Sequence, residues 1–366
     1  MDEKTIKMRS QAIGRDMRAN KLDCMVVTGG ENVRYITGFT GDDSWVVFAG
    51  RSVYLVTDSR YTEQAEQECA GCRIIERDGT MIKAVAKIIA KYKNAKTVGA
   101  EDSCPVGTYK KLQRAVRRKV KPVSGIIEKI REYKEPAEIN AISKAAKIAW
   151  AGLSRMLNQL RAGMSESEAA GLLDFYIRKA GSTNGFETIL AFGANGSRPH
   201  HQPGWKKLRT NDTILIDFGA TYKGYCCDMT RCFAFGKAPA VYRKIYSAVL
   251  EAQQAAIKTI RDGVKMTAVD SAAREVLAKY NLPVYSHGTG HGLGLVVHEL
   301  PYISKISKGK LKAGQVITIE PGVYMPGKFG IRIEDDILVT KTGYRVLSKD
   351  NLLGFSGSKI KILKSR

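Results

Sequence analysis

The chain has 366 residues, of which 44% are hydrophobic and 26% are charged, as in an ordinary globular protein of one or two domains. No apolar run is long enough to span a bilayer and the first ten residues contain no apolar signal core, so we expect a cytoplasmic protein that does not enter a membrane. The net charge of +23 is spread over both halves without a nucleic-acid motif or an aromatic-rich groove, which disfavours nucleic acid as a partner.

Residues 1–130 alternate helical and strand patterns, which predicts an α/β domain. We predict helices at 5–21, 81–92 and 106–119 and strands at 24–30, 45–50, 53–58 and 97–101. A dense basic patch at 110–121 overlaps the last of these helices, and a second basic segment lies at 358–366. The seven cysteines form no even framework, so we expect reduced thiols.

Residues 131–366 follow a different order, in which a pair of helices precedes strands and the order then repeats. The helices are predicted at 137–161, 165–180, 239–261 and 267–280, and the strands at 188–192, 213–218, 316–319 and 331–339. The repeated order predicts an α+β domain with an internal pseudo-duplication.

Two predicted hairpins of this domain each carry a pair of acids. Asp217 and Asp228 are symmetric about the midpoint of 222 and 223, and Glu320 and Glu334 about Gly327. A simple hairpin would therefore place the members of each pair directly opposite, with β-carbons ~4.5–5.5 Å apart. Like charges so placed are costly in a dry cleft. Two such pairs predict bound cations.

All five histidines lie in two segments marked by glycine or proline. His200 and His201 are in SRPHHQP, and His287, His291 and His298 are in SHGTGHGLGLVVHE. One imidazole beside four carboxylates suits two divalent ions of the manganese, cobalt, iron or zinc type. We expect one histidine of the second segment to complete this metal site and another, seven residues on, to face the substrate.

The order Asp217, Asp228, His291, Glu320, Glu334 resembles that of the pita-bread metallopeptidases, which include aminopeptidase P, prolidase and methionine aminopeptidase. The segments IDFGATYKGYCCDMTR, HGTGHGLGLVVHE, ITIEPGVY and GIRIEDD carry the resemblance, together with GANGSRPHH. ENVRYITGFTGD and TDSRYTEQA resemble the amino-terminal domain of the proline-directed branch. This implies a creatinase/prolidase-type α/β domain in 1–130, with roles in dimerisation and as a cleft wall, and a pita-bread catalytic domain in 131–366.

The resemblance also implies how the five ligands are shared. Asp217 would bind one ion, His291 and Glu320 the other, and Asp228 and Glu334 would bridge both. A hydroxide between the cations would attack the scissile carbonyl, with Glu320 as the proton shuttle.

Other residues would surround the metals if the resemblance holds. His200 and His298 would hold the substrate carbonyl and stabilise the tetrahedral adduct, and His201 would be only a neighbour of the first of these. His287 would lie at the edge of the cleft, and Tyr324 and Arg332 would orient the metal-binding glutamates.

The acidic pairs and histidines predict a dinuclear metal site, with manganese favoured, and the resemblance implies a metallopeptidase that cleaves the Xaa-Pro bond at the amino end of peptides. We expect a homodimer whose substrate carries proline at its second position. An Xaa-Pro dipeptidase is the alternative, because no motif fixes the walls that would exclude longer peptides. Creatinase-like hydrolysis without metal is disfavoured, because a protein of that kind would lack these acids. A non-catalytic basic pita-bread protein that binds nucleic acid would show degraded ligand positions.

Overall fold

The computed structural model of the chain describes residues 3–349 and 361–364, and the chain divides into two compact units, Met1–Arg131 and Glu132–Arg366. Of the basic segment predicted at the end of the chain, residues 358–360 and 365–366 lie outside the described residues. Within the described part, none of the helices combines the length and the apolarity that crossing a bilayer requires.

The first unit is an α/β domain, as predicted. Its helices are α1 (Glu3–Ala19), α2 (Gly30–Thr37), α3 (Thr62–Glu68), α4 (Met81–Ala90), α5 (Val106–Val116) and α6 (Glu128–Arg131). Its strands are β1 (Cys24–Val27), β2 (Trp45–Ala49), β3 (Ser52–Thr57), β4 (Arg73–Glu76), β5 (Thr97–Glu101) and β6 (Lys119–Val123). They form one mixed sheet in the order β4-β3-β2-β1-β5-β6.

The predicted helix at 106–119 is too long by three residues. It ends at Val116, because Arg117 adopts a left-handed conformation with φ of 53° and the chain turns into β6. Sequence reasoning missed β6 and β4, which are the two edge strands of the sheet. Edge strands tolerate lysine and proline, as in the sequence KVKPV of β6, and therefore lack an apolar alternation.

The second unit contains four long helices in two pairs. These are α7 (Pro136–Gln159) with α8 (Glu166–Lys179), and α9 (Ala240–Thr259) with α10 (Met266–Lys279). Its strands are β7 (Thr183–Asn184), β8 (Ile189–Phe192), β9 (Thr213–Phe218), β10 (Ala220–Tyr222), β11 (Tyr225–Cys226), β12 (Met229–Phe235), β13 (Gly290–Gly292), β14 (Glu299–Ile303), β15 (Val316–Ile319), β16 (Gly322–Met325), β17 (Phe329–Arg332), β18 (Asp335–Val339), β19 (Tyr344–Val346) and β20 (Lys361–Leu363).

Each helix pair of the second unit packs on its own sheet. Buried residues of α7 and α8 form one core with the sheet β20-β12-β9-β8. Buried residues of α9 and α10 form another core that includes β15 and β18 of the sheet β14-β13-β15-β18-β19. The predicted α+β arrangement with an internal pseudo-duplication is confirmed.

The second acidic hairpin has the predicted register. Ile319 pairs with Asp335, and Gly322 pairs with Arg332. Both pairs are symmetric about Gly327, although residues 320 and 321 between β15 and β16 are outside the strands. Glu320 and Glu334 therefore lie at opposed positions.

The first acidic hairpin differs from the prediction by two residues. Its turn lies at Lys223 and Gly224, both with positive φ, as in the two-residue turns that join twisted strands. Thr230 is consequently the residue opposite Asp217, and the expectation that Asp228 would be directly opposite was wrong. A shift of two residues preserves the face of the sheet, so the two aspartates are diagonal neighbours on one side.

Candidate metal centre

A cavity of about 870 Å³ in the second unit collects the candidate site residues. Its lining contains the five predicted metal ligands, Asp217, Asp228, His291, Glu320 and Glu334. It also contains the four other histidines, His200, His201, His287 and His298. Residues from β9, β13 and the two hairpins, which are up to 117 positions apart in the sequence, thus face one space.

The predicted ligands form three overlapping sets in which the ligand atoms lie within 4.8 Å of one another. The sets are Asp228 with His291 and His298, His291 with Glu320 and Glu334, and Asp217 with Asp228 and Glu334. The Nε2 atom of His291 is 3.7 Å from Asp228 Oδ2 and 3.6 Å from Glu320 Oε1. The structure therefore brings all five residues together. It also places His298 within the same distance of Asp228 and His291.

Two anionic oxygens at this centre are buried without a partner in the described part of the chain, Oδ1 of Asp217 and Oδ1 of Asp228. A buried carboxylate oxygen without a hydrogen bond or counter-charge is strongly unfavourable. Both residues belong to a cluster of hard oxygen ligands that also contains imidazole, which is a donor set that divalent cations of the manganese type accept. The residues present fit a metal centre.

Burial and mutual repulsion disfavour the charged forms of these acids. Burial, with the charge of Glu334 as the largest repulsion, raises the pKa of Asp228 well above its usual range. Burial and the charge of Glu320 do the same to the pKa of Glu334. Burial raises the pKa of Glu320 to about 8, although Arg332 opposes the shift. Neutralising cations would relieve this repulsion.

His291 is prepared to act as a neutral ligand. Burial, together with the neighbouring His298, lowers the pKa of His291 to about 4. Its Nδ1 lies 3.1 Å from the carbonyl oxygen of Gly292 and can donate to it, which leaves the Nε2 lone pair facing the carboxylates. In metal-binding histidines, a hydrogen bond from the ring nitrogen that does not bind the metal fixes the tautomer and the orientation of the ring.

Arg332 and Tyr324 contact different partners from those expected. A guanidinium nitrogen of Arg332 donates to Asp217 Oδ2 at 2.6 Å, and another donates to the hydroxyl of Tyr324 at 2.8 Å. Thr230 links Arg332 to Glu334, because its hydroxyl accepts from Arg332 at 2.9 Å and donates to Glu334 at 2.6 Å. Sequence reasoning missed Thr230, because it lies opposite Asp217 only in the observed register of the first hairpin.

His287 is half-buried and lines the cavity. Its Nδ1 is 2.7 Å from the carbonyl oxygen of Gly288, its Nε2 is 3.2 Å from the Tyr324 hydroxyl, and its ring stacks on that of Tyr285 at 4.7 Å. Burial lowers the pKa of His287 to about 4, so it is neutral at physiological pH. The ring is therefore suited to orientation of its neighbours rather than to carrying charge.

The segment that bears His287 is fastened to α10 by residues that sequence reasoning missed. Asp270 accepts from the hydroxyl of Thr289 at 2.6 Å and from Arg274 at 2.7 Å. Arg274 also donates to the carbonyl oxygens of Tyr285 and His287, both at 2.7 Å. The spacing of Asp270 and Arg274, four residues apart on a predicted helix, was the available signal.

Asp336 is a second residue that sequence reasoning missed. Its side chain is fully buried, and both carboxylate oxygens lie 3.3 Å from the backbone nitrogen of Asp228. Burial raises the pKa of Asp336 well above its usual range. This acid therefore holds the backbone of a predicted ligand rather than lining the cavity.

His200 and His298 both line the cavity with exposed side chains, as candidates for substrate contact require. The ring of His298 is 4.3 Å from that of His291, and partial burial lowers the pKa of His298. His201 is buried and its Nε2 lies 2.9 Å from Glu166 Oε2. The two adjacent histidines therefore have separate environments.

Comparison with known families finds two that match this chain. The profile of metallopeptidase family M24 matches residues 140–341, and that of the creatinase/prolidase N-terminal domain matches residues 9–133.

Individual relatives cover nearly the whole chain. An uncharacterized peptidase of Bacillus subtilis, YqhT, is 38% identical over 331 residues, which are 89% of this chain and 94% of that protein. An Xaa-Pro dipeptidase of Pyrococcus horikoshii is 33% identical over 340 residues, 91% of this chain and 94% of its own.

Solved structures of similar proteins share the fold. The Xaa-Pro dipeptidase of Bacillus anthracis has a TM-score of 0.93 at 33% identity and covers 98% of this chain and 100% of its own. The X-Pro aminopeptidase of Thermotoga maritima has a TM-score of 0.87 at 34% identity and covers 95% of this chain and 99% of its own.

Proposed function

Because the chain belongs to metallopeptidase family M24, we propose that it hydrolyses the bond between the first residue of a peptide and a following proline, as an Xaa-Pro aminopeptidase. The observation that carries the proposal is the buried group of four carboxylates and one neutral imidazole, with two orphaned carboxylate oxygens, at the wall of a cavity that the four other histidines also line. Two divalent cations would be held by Asp217, Asp228, His291, Glu320 and Glu334.

Bound cations would supply Lewis-acid polarisation of the substrate carbonyl and would lower the pKa of water at the site. The chain supplies the remaining steps. Glu320, the predicted ligand with the most exposed side chain, takes the proton of the attacking water and returns it to the leaving amine of proline. His298 and His200 face the cavity and donate N–H groups to the oxygen on which negative charge develops. Arg332 fixes Asp217 and, through Thr230, Glu334.

Three finer points belong to the proposal. Manganese is the favoured ion because carboxylate oxygens dominate the donor set. The cytoplasm is the favoured compartment because the seven cysteines, all in the described part of the chain, form no disulfide. A homodimer, with the first unit as the dimerisation and cleft-wall domain, follows from the likeness to the proline-directed branch, and light scattering that gave the mass of one chain would contradict it.

The test of the proposed function is metal removal and replacement. Dialysis against a chelator should abolish hydrolysis of Ala-Pro-Pro-type peptides, and manganese should restore it. Metal content measured by mass spectrometry should follow activity with two equivalents per chain. Full turnover by protein shown to be free of metal would contradict the proposal.

An Xaa-Pro dipeptidase is the second candidate, favoured by the names of the relatives from Pyrococcus horikoshii and Bacillus anthracis. A dipeptidase needs a partner for the free carboxylate of proline. Among the described residues that line the cavity, Arg332 is the one arginine or lysine, and its guanidinium is bonded to Asp217. This engagement supports the aminopeptidase.

We therefore expect kcat/KM for Ala-Pro-Pro to exceed that for Ala-Pro by roughly tenfold, which corresponds to about 1.4 kcal/mol of transition-state binding. The two peptides, assayed at the same manganese concentration, give the ratio directly. Preference for Ala-Pro would assign the protein as a dipeptidase instead.

A further inference from the structure

We propose that Glu166 and His201 form a positioning pair that fixes the place of His200 in the cavity. The inference rests on the proposed function, because it gives His200 its task at the substrate. It explains why two adjacent histidines occur in a chain that has only five. Both lie along the cavity, but His200 is exposed there, whereas His201 is buried against a carboxylate.

Glu166 is the first residue of α8 and is fully buried. Its carboxylate contacts four donors, which come from the last residue of β8 and the segment that follows it. These are the backbone nitrogen of Phe192 (2.8 Å) and the side-chain amide of Asn195 (2.8 Å) at Oε1, and His201 Nε2 (2.9 Å) and the backbone nitrogen of Gly204 (3.1 Å) at Oε2. One side chain thus ties the beginning of the segment 192–204 to its end.

The charge of Glu166 makes these contacts strong. Burial alone would raise its pKa, but the hydrogen bonds from Phe192, His201 and the other donors outweigh burial and lower the pKa of Glu166 below its ordinary value. An ionised acceptor in a dry environment forms hydrogen bonds about twice as strong as a neutral one does. The carboxylate also lies in the first turn of a helix, where negative charge is favourable.

His200 is held from both neighbouring positions. On one side, the carbonyl oxygen of Pro199 accepts from Arg332 at 3.4 Å. On the other, His201 is fixed by Glu166. Because the proline ring at 199 restricts the backbone further, the direction in which His200 leaves the chain is determined by its two anchored neighbours. Loss of the Glu166 contact would release one of these anchors and let the His200 ring move within the cavity.

The other half of the pseudo-duplicated unit has a comparable device. Asp270, on the second helix of the second pair, is buried and binds Thr289 and Arg274, which in turn hold the segment that bears His287. A carboxylate on the second helix of each pair therefore fastens a histidine-bearing segment. The recurrence favours a positioning role over a chance contact.

A double-mutant cycle tests the proposal. Glu166→Gln removes one acceptor oxygen and the charge, and we expect it to lower kcat/KM for Ala-Pro-Pro by about 10- to 100-fold, since a displacement near 1 Å has effects of this size. In a His200→Ala background the same change should cost less than about twofold, because residues that act through one group are not additive. An equal loss in both backgrounds would assign Glu166 a general structural role and overturn the proposal.

Conservative and control variants separate positioning from folding. His201→Gln keeps an N–H donor near Glu166 and should retain activity within about threefold, whereas His201→Ala should behave like Glu166→Gln. Glu168→Gln is the matched control, because Glu168 lies on the same turn of α8 but is exposed, and its carboxylate accepts from the backbone of Ser165, the cap of its own helix. It should leave activity unchanged. If Glu166→Gln fails to fold, the His201 variants provide the same comparison.

A spectroscopic measurement separates this proposal from the proposed function. The ring resonances of His200 should shift in His201→Ala and Glu166→Gln and stay in place in Glu168→Gln. If the unaltered protein cleaves no Xaa-Pro peptide while these resonances move, the peptidase function is wrong and the positioning pair stands. If Xaa-Pro peptides are cleaved and the resonances do not move, the positioning pair is wrong.

Discussion

Asp228→Asn is expected to lower kcat/KM for Xaa-Pro hydrolysis by at least about 1,000-fold. Asp228 belongs to two of the three sets of ligand atoms, so its replacement affects both halves of the metal centre. Metal ions contribute several kcal/mol of transition-state stabilisation, and each 1.36 kcal/mol is a factor of ten in rate. Steady-state kinetics with metal analysis should show that activity and the second equivalent of metal are lost together.

The same substitution is expected to stabilise the metal-free protein at neutral pH. The pKa of Asp228 and of Glu334 is raised by burial and repulsion, and that of Glu320 reaches about 8. An acid whose pKa is higher in the folded state binds its proton more tightly there, so the folded state holds more protons than the unfolded state between the two pKa values. Stability must fall as the pH rises through that interval.

The melting temperature of the metal-free protein should therefore decrease between about pH 4.5 and about pH 8, and it should decrease less in Asp228→Asn, which has lost one of the repelling charges. Manganese should remove most of the pH dependence in the unaltered protein and little of it in the variant. Glu275→Gln, an exposed charge change on α10, is the control and should follow the unaltered protein. A metal-free Asp228→Asn that melts at a lower temperature than its parent at pH 8 would contradict the electrostatic account.

The elements and the acidic pairs were predictable because they leave a periodic or symmetric pattern in the sequence. Glu320 and Glu334 are equidistant from a glycine turn, and the register follows from that turn alone. The register of the first hairpin was predicted wrongly, because its turn was placed one residue too early in the sequence. Positive φ at Lys223 moved the register by two residues, which replaced Asp228 by Thr230 opposite Asp217.

The residues that hold the site in place were less predictable than the ligands. Glu166 binds a segment that begins 26 residues later, and the buried Arg332 reaches Asp217 across 115 residues. Neither contact has a local signal, since a glutamate in the first turn of a helix and an arginine in a strand are common. Such groups come together only through the tertiary packing of strands and helices. Because a buried charge without a partner is strongly destabilising, each of these groups then needs the contact that the fold provides.

Gly290→Ala is expected to cost roughly 3 kcal/mol of stability, near the upper end of the range for overpacking. A β-carbon at this position would lie 1.8 Å from the carbonyl oxygen of Thr318, far inside contact distance, and that oxygen belongs to the central strand β15. For a domain of this size the melting temperature should fall by about 6–12 °C. Displacement of β13 from β15 would also move His291, which follows Gly290 directly.

Gly171→Ala is the matched control, because Gly171 lies inside α8 and an added β-carbon meets no atom within 4 Å. Alanine in a helix interior is favoured over glycine by about 0.5–1 kcal/mol, so this variant should melt slightly higher than its parent. Differential scanning calorimetry with and without manganese compares the two. Because the strain in Gly290→Ala acts at the strand that carries His291, metal should recover less of its stability than in the control. Equal melting temperatures for both variants would show that β13 and β15 can separate freely, which is incompatible with a preformed metal centre.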